Sequence, residues 1–540
     1  MEFGAIVGLI AAVILFLYGI EHLSRELQRI ASDRLRGALQ KVARNRWSGA
    51  VAGALATAAI QSSTATTVIV VGLVNAGIIS FTQSLGVIAG ANVGTTITAQ
   101  LIAFKLTTFA PVLIVVGFLV GMFGSRFKFL GKTIFYFGFL FLAINFLSEA
   151  VVPFKENPSI MELMQQMENP LLAIIAGALL TILFQSSSAT TGIVVVLGAE
   201  GLLPLAPSIA IIMGANIGTT STALLSAWRM ELFAKRSAVA HAIFNICGVI
   251  AFIPILVPFT SFVAGLGGGP GQMVANAHTI FNVTAAIAFL LLLGPIAKLV
   301  ERIVPGREKE ILFKTEYLEV LPETEDGIIL AVEKELIRQM NVVKESFYLS
   351  YGMVRKGDTS KMAKVGKLEA LNDYLEARIS EVLLDVSMKN LTKEQSEVIV
   401  ILARISNEME RMGDLSESFA KLAARLDERN EKLHPDAIEE LDKIKKGFDV
   451  IMDKVIAEGG GMNKRTFRSI TQKRAHTDKL VQETYRSHIK RLADYKLSNI
   501  TSTIFIDAVY SIEQANSALL RLGRLLIKLK KKNIEPEGKK

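Results

Sequence analysis

Gln61-Ser62-Ser63-Thr64-Ala65-Thr66-Thr67 recurs as Gln185-Ser186-Ser187-Ser188-Ala189-Thr190-Thr191, a spacing of 124 residues. The same spacing relates Gly90-Ala91-Asn92-Val93-Gly94-Thr95-Thr96 to Gly214-Ala215-Asn216-Ile217-Gly218-Thr219-Thr220. Ile20, Leu23 and Ser24 likewise answer to Ile144, Leu147 and Ser148, so the repeat begins in the first apolar stretch. Both copies of the motif lie in apolar sequence. Uncharged polar groups at membrane depth are costly without partners. Two matched clusters in two matched halves therefore point to a solute pathway.

The 540 residues are 51% hydrophobic, and the hydrophobicity is uneven. Long apolar runs continue to about Val300, and charged sequence of helical periodicity follows Pro305. The organisation expected is a membrane domain over 1–304, a linker over 305–319, a soluble helical domain over 320–535 and a basic tail over 536–540. The net charge of +9 does not indicate nucleic acid, because no stacking aromatics accompany the basic residues and much of the excess sits beside membrane spans. The lone Cys247 can form no intrachain disulfide and is expected to be a buried small hydrophobe. No basic region precedes Phe3–Ile20, which reads as a retained span rather than a cleaved signal.

With ~20 apolar residues per crossing, spans are expected at about 3–22, 84–103, 107–124, 131–149, 207–227, 237–262 and 278–300. The stretches at about 48–80 and 170–203 carry the Gln-Ser-Ser motifs near their middles and read as re-entrant hairpins. Arg25, Arg29, Arg34, Arg36, Lys41, Arg44 and Arg46 alternate with apolar residues, predicting an amphipathic helix over 24–47 on the cytoplasmic surface, with Trp47 at the headgroups. Arg126, Lys128 and Lys132 mark a second inside loop, and Arg229, Lys235 and Arg236 a third. Seven crossings place the N-terminus outside and the C-terminal domain in the cytoplasm. One repeat then holds an odd number of crossings, so the second copy, about 126–262 against about 1–125, enters upside down. The motifs would meet near the midplane. An alternative count makes each hairpin two full crossings and leaves the motifs at the surface.

The motifs hold Ser, Thr, Gln and Asn and no charged residue. Hydroxyls and amides both donate and accept hydrogen bonds, and line a dry site without burying a charge. A helix N-terminus at each hairpin tip attracts anions, and nearby oxygens suit a hard cation such as Na+. The paired glycines are expected to loosen their helices so that Asn92, Thr95, Thr96, Asn216, Thr219 and Thr220 face the tips; simple close helix packing is the competing reading. His241 with Asn245, and His278 with Asn282, read as cross-helix hydrogen bonding in preference to a proton relay. No constellation for catalysis occurs in the membrane part.

These residues resemble the signature repeats of the type II sodium–phosphate cotransporter family over about residues 1–300. The resemblance implies an all-α polytopic membrane protein of two inverted repeats with re-entrant hairpins, and sodium-driven phosphate transport. It implies phosphate binding by Gln61, Ser62, Ser63, Gln185, Ser186 and Ser187. Sodium binding falls to Thr64, Ser188, Asn92, Thr95, Thr96, Asn216, Thr219 and Thr220, with Na+ as the coupling ion. The partners are inorganic phosphate, Na+ and the lipid bilayer, with a homodimer as candidate assembly and no nucleic acid. The location implied is the cytoplasmic membrane of a bacterium.

Residues from about 320 to 535 resemble a PhoU-like domain, best over Asn407-Glu408-Met409-Glu410-Arg411-Met412-Gly413-Asp414. Such domains are two three-helix bundles, and six helices are expected at about 327–354, 361–388, 392–427, 435–457, 463–493 and 499–532. The resemblance gives Glu410 and Asp414 a role in binding a transition metal; a solvated helix face is the competing reading. The matching stretch Glu513-Gln514-Ala515-Asn516-Ser517 lacks the Asp. Alternatives to phosphate symport are a carrier of another oxyanion and a phosphate sensor signalling through the helical domain.

Overall fold

The computed structural model describes residues 3–43, 45–104, 106–122, 124–306, 310–495 and 498–533. The side chains of Arg34, Arg36, Lys41 and Arg126, all of Arg44 and the tail 536–540 lie outside that description. Residues 1–310 and 311–540 form two compact units. Both are helical throughout their described secondary structure.

The first unit opens with α1 (Phe3–Val42), α2 (Arg46–Ile60), α3 (Ser63–Asn75), α4 (Phe81–Ala103), α5 (Ala110–Met122) and α6 (Gly124–Val151). It continues with α7 (Pro158–Gln166), α8 (Pro170–Phe184), α9 (Ser187–Ala199), α10 (Leu205–Ala227) and α11 (Leu232–Phe252). It closes with α12 (Leu256–Gly265), α13 (Pro270–Leu291) and α14 (Leu293–Ile303). Among the described residues six stretches are long and apolar enough to cross a membrane: Phe3–Arg29, Phe81–Ala103, Phe127–Phe154, Leu205–Ala227, Leu232–Gly265 and Pro270–Leu291. A seventh is added if α7 and α8, bent by 103° at their junction, count as one span.

Several expected boundaries need correcting. The span expected at 107–124 is the helical stretch Leu106–Met122, about 26 Å at ~1.5 Å per residue, against ~30 Å of hydrocarbon. The final helix does not run over 278–300. It starts at Pro270 and breaks after Leu291, where Pro295 has no N–H for the Leu291 carbonyl. The surface helix expected over 24–47 is not a separate element: α1 continues without interruption to Val42, and Asn45 caps α2. Cys247 is exposed beside exposed Ile246 and Ile250, not buried.

The hairpin stretches are each a pair of short helices. α2 and α8 have 15 residues, and α3 and α9 have 13. At ~1.5 Å per residue none matches ~30 Å of hydrocarbon. The glycines of α4 and α10 do not loosen these helices, which stay regular from end to end. A Cβ at Gly90 would collide with the Ala50 carbonyl of α2, and one at Gly214 with the Ile174 carbonyl of α8. Gly53 against Val87 and Gly177 against Ile211 repeat the pattern from the other side. Close backbone approach is what small residues allow between helices in lipid. It clamps each hairpin's first helix to the long helix of its own half.

The second helix of each hairpin packs on the long helix of its own half and also beyond that half: α3 lies on α4 and on α10 and α11, and α9 on α10 and on α4 and α13. Val71 of α3 is buried with Ala223, Ala227, Ala234 and Ala238.

The second unit consists of α15 (Glu325–Lys356), α16 (Met362–Ser387), α17 (Lys393–Asp427), α18 (Pro435–Ala457), α19 (Lys464–Tyr495) and α20 (Asn499–Asn533). All six agree with the expected helices to within a few residues. Thr392 starts α17 with a capping box, and Gly357 ends α15 in the left-handed region at φ 62°. α15–α17 pack together, as do α18–α20, and α17 meets α20. Phe347, Phe419, Phe448 and Phe505 therefore belong to one continuous apolar core.

Candidate functional site

Each motif begins at a strained residue. Gln61 ends α2 with φ 54° and ψ 32°, and Gln185 ends α8 with φ 51° and ψ 27°. Left-handed backbone costs a non-glycine residue ~1–2 kcal/mol, so a side chain is kept where glycine would fit the backbone better. The next residue caps the following helix. Ser62 Oγ accepts from Ala65 N at 3.1 Å, and Ser186 Oγ from Ala189 N at 3.2 Å. That cap serves the third N–H of α3 and of α9 and leaves the first two without an intrahelical acceptor. Across each hairpin a threonine pair closes the gap: Thr57 Oγ1 donates to Thr66 Oγ1, and Thr181 Oγ1 to Thr190 Oγ1, both at 2.9 Å.

Ser63 and Ser187, the first residues of α3 and α9, are 4% and 5% exposed. Neither hydroxyl has a hydrogen-bond partner among the described residues. Thr67 and Thr191, four residues on along the same helix faces, are also buried with unpartnered hydroxyls. Buried polar groups are normally satisfied. Matched orphans in both halves mark places where something other than the chain completes the bonding. Thr64 is half-buried and Ser188 buried; Gln61 is half-buried and Gln185 exposed.

The second motif sits deep in α4 and α10. Asn92 Nδ2 donates to Asn245 Oδ1 at 2.7 Å, and Asn216 Nδ2 to Asn282 Oδ1 at 2.8 Å. Asn245 and Asn282 in turn donate to the carbonyls of His241 and His278. α11 and α13 thus perform one task for the two halves, and the cross-helix bonds are made by the asparagines of the His/Asn pattern, with His241 Nε2 3.4 Å from Asn92 Oδ1. Thr95 and Thr219 donate to the carbonyls of Ala91 and Ala215, and Thr96 and Thr220 to those of Val93 and Ile217. With their protons directed at the backbone, these hydroxyls keep lone pairs for a cation.

Sequence reasoning missed several members of this assembly. Thr57 and Thr181 obey the 124-residue spacing and could have been found by it. Thr98, whose hydroxyl donates to Gln61 Oε1 at 2.8 Å, obeys it too, through Thr222. Asn245 and Asn282 stand 37 residues apart, outside the repeat spacing. Among the described residues no side-chain hydrogen bond joins the two Gln-Ser-Ser turns to each other.

In the second unit, burial first, and then Asp414, Asp373 and Glu376, raises the pKa of Glu410. Burial, then Asp373 and Glu417, raises that of Asp414. Glu369 and Asp373, spaced four apart on α16, were missed. The Glu369 carboxyl is pushed up to about 7 by burial and then by Asp373. Among the described residues no three His, Cys, Asp or Glu side chains are grouped so as to hold a metal ion. Glu410 and Asp414 stand within a group of mutually repelling carboxylates.

Apolar spans, short paired helices and buried hydroxyl-lined turns without a catalytic set define a multi-pass membrane transport protein with a helical C-terminal domain. Residues 15–149 and 157–267 match the Na+/Pi-cotransporter family, and residues 336–423 match the PhoU domain. The chain belongs to the Na+/Pi-cotransporter family and is not an enzyme. YqeW of Bacillus subtilis, of uncharacterised function, is 31% identical over 268 residues, 49% of this chain and 87% of that protein. YjbB of Escherichia coli K12, provisionally named for inorganic phosphate export, is 24% identical over 527 residues, 93% of this chain and 96% of its own. Human sodium-dependent phosphate transport protein 2B is 36% identical over 148 residues, 24% of this chain and 21% of its own. No solved structure gives a significant match.

Proposed function

We propose that the protein is a sodium-coupled symporter of inorganic phosphate in the cytoplasmic membrane, built from two inverted repeats whose hairpin tips share one site. The reading rests most on one observation: Thr67 and Thr191, whose buried hydroxyls have no partner among the described residues, stand one helical turn from buried Ser63 and Ser187 at matched places in both halves. Phosphate binds at the tips through the free N–H groups opening α3 and α9, with Ser63, Ser187, Gln61 and Gln185. Ser62 and Ser186 hold those N-termini in shape. Na+ binds among hydroxyl and amide oxygens from Thr64, Ser188, Asn92, Thr95, Thr96, Asn216, Thr219 and Thr220. Each charge offsets the other in a dry site, which couples their binding. The PhoU domain lies in the cytoplasm and regulates transport.

A second reading concerns direction. The YjbB proteins of Escherichia coli and Salmonella typhimurium match both units of this chain and carry the name of phosphate exporters. The purified protein in liposomes tests both. Phosphate accumulation driven by an inward Na+ gradient, and not competed by sulfate, supports the symporter. Accumulation indifferent to Na+, with efflux from phosphate-loaded vesicles, supports the exporter. Binding of phosphate without movement in either direction would remove both.

A further inference from the structure

The two halves share residues but not all contacts. In the first half, three bonds hold the Gln61 turn besides the one that Gln61 Nε2 donates to the Ala58 carbonyl at 2.6 Å. Ser24 Oγ of α1 donates to the Ile60 carbonyl at 3.2 Å. Gln61 N donates to the Thr57 carbonyl at 2.7 Å. Thr98 Oγ1 of α4 donates to Gln61 Oε1 at 2.8 Å. The second half carries the same donors at the same spacing: Ser148 on α6, Gln185 itself, and Thr222 on α10. Among the described residues none of the three bonds is made there. Thr222 Oγ1 turns instead to the Thr219 carbonyl of its own helix at 3.0 Å. Ser148 lines a cavity of about 590 Å³ bounded by Asn145, Thr107, Ala199, Gln272 and Glu200. Gln185 is exposed where Gln61 is half-buried. The asymmetry extends to the histidines. His241 Nε2 lies 3.4 Å from Asn92 Oδ1, whereas both ring nitrogens of buried His278 lack a partner.

We infer that Ser24 with Thr98, and Ser148 with Thr222, are two alternating latches, each holding the glutamine turn of its own hairpin in one state of the carrier. The first is closed and the second open in this structure. The inference rests on the carrier reading above and assigns positioning roles to four residues outside the binding set. The two settings of each threonine are both visible, one in each half: toward the glutamine, or back to its own helix. Exchanging one hydrogen bond for another leaves little net free energy. The two states therefore lie close enough for a bound solute to choose between them. Closing the second latch carries Ser148 out of the cavity beside Ala199 and Glu200 and toward the Phe184 carbonyl at the opposite end of α9, and release of the first frees Ser24 from Ile60.

The test uses full-length protein in liposomes, without Na+ or phosphate, in a Cys247→Ala background. The reporter is Ala199→Cys, which lines the cavity, labelled with a polar maleimide. Ser24→Ala with Thr98→Val removes the closed latch and should change the labelling rate about tenfold, equivalent to about 1.4 kcal/mol. Ser148→Ala with Thr222→Val removes the unused latch and should leave labelling at the parent rate. Thr98→Val alone, nearly isosteric, should change the labelling rate about threefold in the same direction as the double variant and covers the case in which the double variant does not insert. Equal effects from the two double variants, or an unchanged rate in Thr98→Val, would overturn the latch assignment. A parent that labels as described but moves no phosphate defeats the carrier reading only. A parent that transports while labelling ignores Ser24 and Thr98 defeats the latch only.

Discussion

At the residue scale, the most telling positions are the two glutamines in left-handed backbone. Gln185 is exposed, so its side chain contributes little to packing, yet it sits at φ 51°. Gln185→Gly should relieve the backbone and raise stability by about 1 kcal/mol, while lowering phosphate transport at least about tenfold. Thermal melting and uptake on one preparation check both halves of this statement. A variant equally active and more stable would show that the strain has no functional purpose. Ser62 and Ser186 carry the opposite lesson. The resemblance makes them phosphate ligands, and in the structure their oxygens accept from Ala65 N and Ala189 N as caps of α3 and α9, which leaves each O–H free to donate.

At the element scale, the glycines of α4 and α10 act through space, not through flexibility. Gly90→Ala and Gly214→Ala each drive a methyl group into a carbonyl of the hairpin's first helix, at Ala50 or Ile174. Overpacking costs ~1–3 kcal/mol or more where backbone cannot yield. Both variants should lose yield of monodisperse protein, whereas Gly8→Ala, with nothing within 4 Å, should not. Normal yield from both would remove the clamp. The helices themselves were legible because apolar length and the 124-residue spacing survive in the chain. The break after Leu291 was missed although Gly294-Pro295 announces it, because hydropathy continues across the break. The continuity of α1 was missed because a change from apolar to amphipathic sequence looks like an end.

α16 and α17 of the second unit give a pH prediction. A carboxyl raised to about 7 binds its proton more tightly folded than unfolded. Its stabilisation is in place below its ordinary pKa of 4.5 and is lost as pH climbs through about 7. The melting temperature should therefore fall across that window, and Glu369→Gln should flatten part of the fall. A melting temperature rising with pH, unchanged by that substitution, would contradict the assigned direction.

At the scale of the whole molecule, one fold unit used twice explains most of what the membrane part does. Motif, cap, threonine pair and glycine clamp all recur at one spacing, which is why so much of the site was visible in the sequence. What the repeat could not show is its own exceptions. α11 and α13 serve both halves at a spacing of 37 residues, and the latch contacts are made in one half only, although both halves encode them. Conformational asymmetry between identical residues leaves no trace in composition or periodicity.

The central claim is that the two hairpin tips form one site, and a double-mutant cycle of Na+-gradient-driven phosphate uptake tests it most directly. Ser63→Ala and Ser187→Ala should each lower kcat/KM at least about tenfold, and the double variant should be little worse than the poorer single one, as residues sharing a ligand are not additive. Losses that simply multiply, or parental kinetics in either single variant, would contradict a shared pocket.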